Sequence, residues 1–355
     1  MNASDPTPVP DPPPSTIPHS SHFLYVVNSI ERTVSGYSIN AANGMVSSVG
    51  AATATGDTPI YAVATPDGKF LYVANGGTTS DVSAYRINQA TGMLTPTTPA
   101  SFATTGNTDP IGIATDTSSA HVYTANVHGI SAFAIDAASG NLTDVAGTPV
   151  AAPAGVSFQN LAVSPNGAFL YVTDSGTNRV WIYALNTAGL PVFSGPPAPA
   201  GSFPEGIAVD ATGKFAYVAN WISNDVTSYT ITPGTGVLVP AARTLLGAGC
   251  EPQELVLDPS SAHLFVSCPG LSSIAEFSIN ATSGALTPMP AFSTGPATGP
   301  RGLAVDASGG FLYAAWNTQN RASTSAIRSD GSLAPVSGTA MTGNGPIGVV
   351  VSGTQ

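Results

Sequence analysis

The 355-residue chain carries only 8% charged residues, a formal net charge of −11, 43% hydrophobic residues, 38 Gly and 31 Pro. Nine cations are too few for a nucleic-acid binder, which needs clustered Lys and Arg to displace counterions. No apolar run reaches the roughly 20 residues of a membrane helix, Glu/Lys/Leu heptads are missing, and the apolar content suffices for a sizeable core.

Residues 1–21 come first. They hold seven Pro and no large aromatic residue, which predicts a stiff, disordered spacer. The spacer has neither a charged n-region nor an apolar h-region. A Pro-rich spacer ahead of a Thr/Ser/Gly-rich, Lys-poor, acidic domain is a habit of exported bacterial proteins. The expectation is an extracytoplasmic protein (periplasmic, secreted or lipid-anchored) whose leader has been removed; an ordinary cytosolic tail is the alternative.

From residue 22 a repeat takes over. One phrase recurs seven times: FLYVVN from Phe23, FLYVAN from Phe70, HVYTAN from His121, FLYVTD from Phe169, FAYVAN from Phe215, HLFVSC from His263 and FLYAAW from Phe311. A second phrase follows each copy, with an aromatic near its end in all but the last, and then a hairpin glycine. Ahead of each copy from the second onward lies an apolar strand and a tight turn such as TPDGK or DATGK. These apolar strands open at Pro59, Pro110, Phe158, Pro204, Pro252, Pro300 and Pro346, at intervals of 46 to 51 residues. The first repeat lacks its opening strand. Residues 22–58 and 346–355 together make 47 residues, one period, so the C-terminus supplies it.

Four short β segments per repeat, about 48 residues each and seven times over, read as an all-β, seven-bladed β-propeller of four-stranded antiparallel blades. Strand 346–351 closes the ring by completing blade one, which removes the free edges of an open array. An open solenoid would need capping units and not a shared one. The expected organisation is a spacer over 1–21 and one propeller over 22–355, a monomer with no transmembrane segment.

Propeller geometry places the first strand of each blade (strand A) innermost, with the D–A and B–C loops on the top face. The turn residues His22, His121, His263, Lys69 and Lys214 fall on the opposite face and read as solvated. The residues just after the strand-A openings are Ile60, Ile111, Gln159, Glu205, Gln253, Arg301 and Ile347. Blades one to three thus present Ile, and blades four to seven present Gln, Glu, Gln and Arg. Two readings stand: a wetted or bridged pair of charges holding the ring together, or a polar half-rim opposite an apolar one that orients an amphipathic small ligand. Arg32, Arg179, Arg301 and Arg321 also fall on the top face. Arg301, Arg321 and Arg32 form a candidate anion-holding cluster on adjacent blades. His128 is the one histidine placed in a B–C loop and is a candidate base. Trp221 and Trp316 are candidates for stacking on a sugar-like ring or for plugging the channel mouth. Cys250 and Cys268 fall opposite each other across a hairpin whose turn centres near Ser260. A disulfide is expected there, with a reduced buried pair as the alternative. Scattered Asp residues such as Asp57, Asp109 and Asp225 read as turn residues, so no metal and no cofactor is expected.

The phrase resembles the YVTN-type repeats of the seven-bladed lactonase-like propellers, a family that includes 6-phosphogluconolactonases and carboxymuconate-type cycloisomerases. The resemblance spans 22–355. It implies acid–base residues on the top face, drawn from His, Glu and Arg, with Pro-Arg-His opening a strand A and Asn-Glu closing a strand B. Pro300-Arg301 matches the first half, but Gly302 stands where His would be, and none of the seven strand-B ends gives Asn-Glu. Only Arg301 carries over. The expectation is a hydrolase of a small neutral or singly charged lactone. Arg301 would stabilise the oxyanion, Glu205 or His128 would take a proton from water, and Gln159, Gln253, Arg321, Arg32, Trp221 and Trp316 would contact the ligand. A dianionic phosphorylated lactone fits a chain at −11 poorly. The alternative is a non-catalytic binding propeller with a partner on its top face.

Overall fold

A computed structural model describes residues 22–104, 109–290, 292–293 (backbone only) and 299–352. The spacer expected over 1–21 lies outside the described residues. The chain forms seven antiparallel sheets of four strand positions each, ordered A to D from the axis outward; in four of the seven, strand D is split in two. Strands A are Pro346–Val351 in blade one, then Pro59–Ala64, Pro110–Thr115, Phe158–Val163, Pro204–Val209, Leu255–Leu257 and Pro300–Val305. Strands B are Phe23–Asn28, Phe70–Asn75, His121–Asn126, Phe169–Asp174, Phe215–Asn220, His263–Cys268 and Phe311–Trp316. Pro346–Val351 pairs antiparallel with Phe23–Asn28, Val26 opposite Val349, so the last strand completes the first blade. Among the described residues no helix is long and apolar enough to cross a membrane.

The recurring phrase is written by what lies on either side of it. Strand B is covered on both faces by neighbouring sheets, so it reads as a continuous apolar run and not an alternation. Its first residue packs on the hairpin glycine of the next blade. A Cβ on Gly92 would sit 2.2 Å from Phe23, one on Gly140 2.4 Å from Phe70, and one on Gly284 2.4 Å from Phe215. The strand-B tyrosine then donates to that glycine's carbonyl: Tyr25 to Gly92 at 2.9 Å, Tyr72 to Gly140 at 2.9 Å and Tyr217 to Gly284 at 3.0 Å. Strand-C tyrosines tie backwards, with Tyr85 donating to Ala54 O and Tyr229 to Pro199 O of the preceding blades. The closing asparagines are buried and donate to a strand-C hydroxyl: Asn28 to Ser35, Asn75 to Ser83 and Asn220 to Thr227, each at 2.9 Å. A buried donor left unpaired would cost about 1–3 kcal/mol, so phrase and neighbour are fixed together.

The same register corrects the reading of two histidines. His121 and His263 occupy the position of the phrase's Phe and pack on Gly189 and Gly331. Their Nδ1 atoms lie 2.8 Å and 3.2 Å from Asp116 and Asp258. They are inter-blade packing residues, not solvated ones. Lys69 stays exposed beside Asp67 at 2.9 Å.

Candidate functional site

The seven inner strands converge at the channel mouth, and the way each begins decides what faces inward. In six blades the pairing of strand A with strand B slips next to the strand-A opening, for example between Pro59 and Tyr61, Pro204 and Ile207, and Pro300 and Leu303. Such a bulge re-aims the side chains beside it. In blade six regular pairing starts only at Leu255, and residues 252–254 remain loop.

The result is one cavity of about 160 Å³ that gathers the whole column after the strand-A openings. Ile60, Ile111 and Ile347 form an apolar arc on blades two, three and one. Gln159, Glu205, Gln253 and Arg301 form the polar arc on blades four to seven. The Gln159 amide donates to Ser175 Oγ at 2.8 Å, which fixes its orientation. Thr173 Oγ1 donates to the Glu205 carbonyl at 2.7 Å and so ties blade four to blade five beneath Glu205.

Two further lining residues, Tyr61 and Asn160, come from the next column, as does Glu254. That column reads Tyr61, Gly112, Asn160, Gly206, Glu254, Gly302 and Gly348 in blades two to seven and one. The glycines are compulsory. A Cβ on Gly302 would lie 2.4 Å from Ile347 O, on Gly206 2.6 Å from Gln253 O, on Gly348 2.8 Å from Ile60 O, and on Gly112 2.7 Å from Asn160 Cα. Adjacent inner strands touch backbone to backbone there, and only blades two, four and six leave room for a side chain. This is also why Gly302 stands where the family's His is expected: the backbone of Ile347 occupies that space. Sequence reasoning passed over Tyr61, Asn160 and Glu254. The signal was present as the three non-glycine members of a glycine column.

The electrostatics are set by enclosure. Burial pushes the Glu205 carboxyl up to about 7, with the Arg301 guanidinium pulling the other way. Burial likewise pushes Glu254 up to about 8. The Leu255 N–H, which donates to Glu254 Oε1 at 3.3 Å, and the nearby Tyr61 hydroxyl oppose that rise, and the charge of Glu205 adds to it. The Tyr61 hydroxyl is raised well above its ordinary value, chiefly by burial. Among the described residues no ion pair joins Glu205 to Arg301. A base near neutrality and a cation free to meet a developing oxyanion therefore face one cavity.

The remaining candidates lie elsewhere. His128 is exposed in the B–C turn of blade three and does not line the cavity. Arg32 is paired with Asp57 at 3.0 Å, Arg321 lies 6.0 Å from the Trp316 ring, and neither lines the cavity with Arg301. Trp316 is wholly buried in the core of blade seven, where its Nε1 donates to Ser323; the expectation of a ligand-stacking ring is corrected, because no face of it is free. Trp221 packs edge-on against Phe203, centroids 5.0 Å apart, outside the cavity. Cys250 and Cys268 are joined in a buried disulfide that fastens the loop leading to Gln253 and Glu254 onto strand B. Among the described residues no group of three or more His, Cys, Asp or Glu could hold a metal ion.

The sequence matches the family described as lactonase, 7-bladed beta-propeller, over residues 15–107 and 103–351. No curated protein is a significant sequence match. Solved structures share the fold at low identity. A Bacteroides fragilis protein assigned as a 6-phosphogluconolactonase superposes with a TM-score of 0.80 at 20% identity, covering 95% of this chain and 99% of its own. The periplasmic gluconolactonase of Pseudomonas aeruginosa gives 0.79 at 20%, covering 95% and 100%. A Lactobacillus plantarum protein gives 0.79 at 20%, covering 93% and 99%. The chain belongs to the seven-bladed β-propeller lactonase family.

Proposed function

We propose, with that membership as the premise, that the chain hydrolyses a small neutral or singly charged lactone in the cavity at the channel mouth. The observation that carries the reading is the joint presence of Glu205 and Arg301 in one cavity whose other walls are isoleucines, amides and the Tyr61 phenol. Glu205, near 7, is poised to accept a proton at neutral pH, the condition for an efficient general base. Water attacks the ring carbonyl as Glu205 takes its proton, and Arg301 stabilises the oxyanion that develops. The Gln159 and Gln253 amides suit ring hydroxyls, and the three isoleucines suit the apolar edge of the same ligand. One guanidinium beside a carboxylate is a poor match for a dianionic phosphate, which favours the unphosphorylated class. An extracytoplasmic location belongs to the same proposal: a structural disulfide persists in an oxidising compartment. Gly302 supports a second reading, a propeller that binds the ligand without turning it over.

The test is pH-stat hydrolysis of a lactone panel, neutral and phosphorylated, with Glu205→Gln and Arg301→Ala alongside. The expected outcome is turnover of unphosphorylated lactones that drops at least about 100-fold in either variant. Turnover that survives both substitutions would remove the site from this cavity. Binding of a lactone by calorimetry without turnover would favour the silent propeller.

A further inference from the structure

We propose that Gln159 and Asn160 of blade four determine which lactones the cavity accepts: held in opposite senses, they read one hydroxyl on the ligand ring, Gln159 as acceptor and Asn160 as donor. The proposal rests on the lactonase reading above and names the group on the substrate that the site recognises.

Both amides line the cavity. A side-chain amide is ambiguous until its neighbours decide which end faces the ligand. Behind Gln159, the Ser175 hydroxyl gives its hydrogen to the Ser157 carbonyl at 3.3 Å. Toward Gln159 it can therefore only accept. Gln159 turns its Nε2 to Ser175 Oγ at 2.8 Å, and the same Nε2 donates to Ser157 Oγ at 3.3 Å. Both of its N–H groups are spent, and Oε1 is what remains for a ligand. Gln253, the counterpart of Gln159 in blade six, has Pro269 where blade four has Ser175, which offers it no hydroxyl.

Asn160 is set the other way. It stands where the pairing of strands A and B slips, between Phe158 and Leu161. The Leu161 N–H donates to its Oδ1 at 2.8 Å. That oxygen lies 2.9 Å from where a Cβ on Gly112 would be, so it is turned against the backbone of blade three. Its Nδ2, with two hydrogens, has no partner among the described residues. The bulge is itself held in place, because the Asn160 N–H donates to Thr173 Oγ1 at 3.0 Å. Blade six repeats the device with Glu254 N–H on Ser267 Oγ at 2.9 Å. In the other five blades this position of strand B is Ala or Val. The hydroxyls thus occur where the inner strand carries a polar side chain in the column that is otherwise mostly glycine.

A ring hydroxyl answers both amides, donating to Gln159 Oε1 and accepting from Asn160 Nδ2. Fluorine in its place can only accept, and it meets the Gln159 oxygen with like polarity. Hydrogen does neither. A site whose polar groups are stranded by the wrong ligand discriminates against that ligand.

The experiment assays wild type, Ser175→Ala and Asn160→Asp on a tetrahydroxylated six-membered lactone and on its analogues. In these each ring hydroxyl in turn is replaced by fluorine or by hydrogen, and every rate is normalised to that compound's hydrolysis by hydroxide. The expected result is one ring position at which both replacements lower wild-type kcat/KM by about 100-fold. Ser175→Ala releases the Gln159 amide to present its N–H, so the fluoro analogue at that position should recover by about tenfold. Asn160→Asp keeps an acceptor for the Leu161 N–H but deletes the donor, so the same analogue should fall by about a further tenfold. Residues that only maintained the fold would move the parent lactone and the analogue together. Analogues within about threefold of the parent at every position, or a fluoro analogue that moves in the same direction in the two variants, would overturn the proposal while leaving the lactonase reading in place. Failure of the wild type on every lactone would overturn both.

Discussion

Replacing Gly302 by Ala tests the packing argument on which the site rests, and its sign is diagnostic. Gly302 does not have a left-handed φ, so an alanine there is conformationally allowed. In open space such a substitution stabilises by about 0.4–1 kcal/mol, because it lowers the entropy of the unfolded chain. Here the new Cβ would lie 2.4 Å from Ile347 O, 2.9 Å from Val349 N and 3.1 Å from Gly348 C, all backbone atoms of the strand that closes the ring. These atoms cannot rotate away as a side chain can. Relief requires the inner strand of blade one to retreat, and overpacking of this kind costs about 1–3 kcal/mol. The net expectation is a destabilisation of about 1–2 kcal/mol. Urea unfolding followed by tryptophan fluorescence reads it as a lower midpoint with an unchanged slope. Gly206→Ala, 2.6 Å from Gln253 O, should behave alike. Gly310→Ala should be tolerated, because its nearest neighbour at 3.0 Å is the rotatable Ser308 hydroxyl. A Gly302→Ala midpoint equal to or above wild type would refute the claim that backbone contact reserves this column for glycine. It would also remove the explanation for the missing histidine.

Three more outcomes follow from the same structure. Tyr72→Phe should cost about 1 kcal/mol in urea unfolding by stranding the Gly140 carbonyl, whereas Tyr171→Phe should be neutral or stabilising, because its buried hydroxyl has no partner among the described residues; equal losses would contradict the inter-blade role of the hydroxyl. Glu254 sits near 8 in the fold against an ordinary 4.5, so the native state holds more protons than the unfolded chain between those values and its stability falls as pH rises through that window. Glu254→Gln removes that contribution, and its midpoint relative to wild type should therefore rise between pH 5 and pH 9; a constant difference would show that the carboxyl titrates normally. Replacing Cys250 and Cys268 together by Ser opens a link between residues 18 apart and should cost about 3 kcal/mol, with reduction of the wild type giving a matching loss; an unchanged midpoint would show that the hairpin already fixes the loop.

The sequence by itself determined the architecture, because in a ring of like blades each position contacts the same position of its neighbour. The phrase returns in every blade because its first residue, Phe or His, packs on the hairpin glycine of the next blade, and in blades one, two and five its Tyr donates to that glycine's carbonyl. Counting the strand-A openings located both the ring closure at Pro346–Val351 and the column that lines the cavity, including Glu205 and Arg301. A column of the repeat is a ring in space, so this part of the site could be read without coordinates.

What the repeat could not give is whatever differs between blades at the scale of an ångström. Whether a column admits a side chain depends on how closely two inner strands approach, and that separated Tyr61, Asn160 and Glu254 from their four glycine counterparts. Chain position placed His128 on the correct loop, but it put Trp316 after strand B, where the structure makes Trp316 the last residue of that strand. Only the packing showed Trp316 turned into the core and His128 left in solvent away from the cavity. The charge state of Glu254 likewise comes from burial and from residues of blades two and five, distant in the chain. Enclosure and cross-ring contact are properties of the closed ring, and no local stretch of sequence contains them.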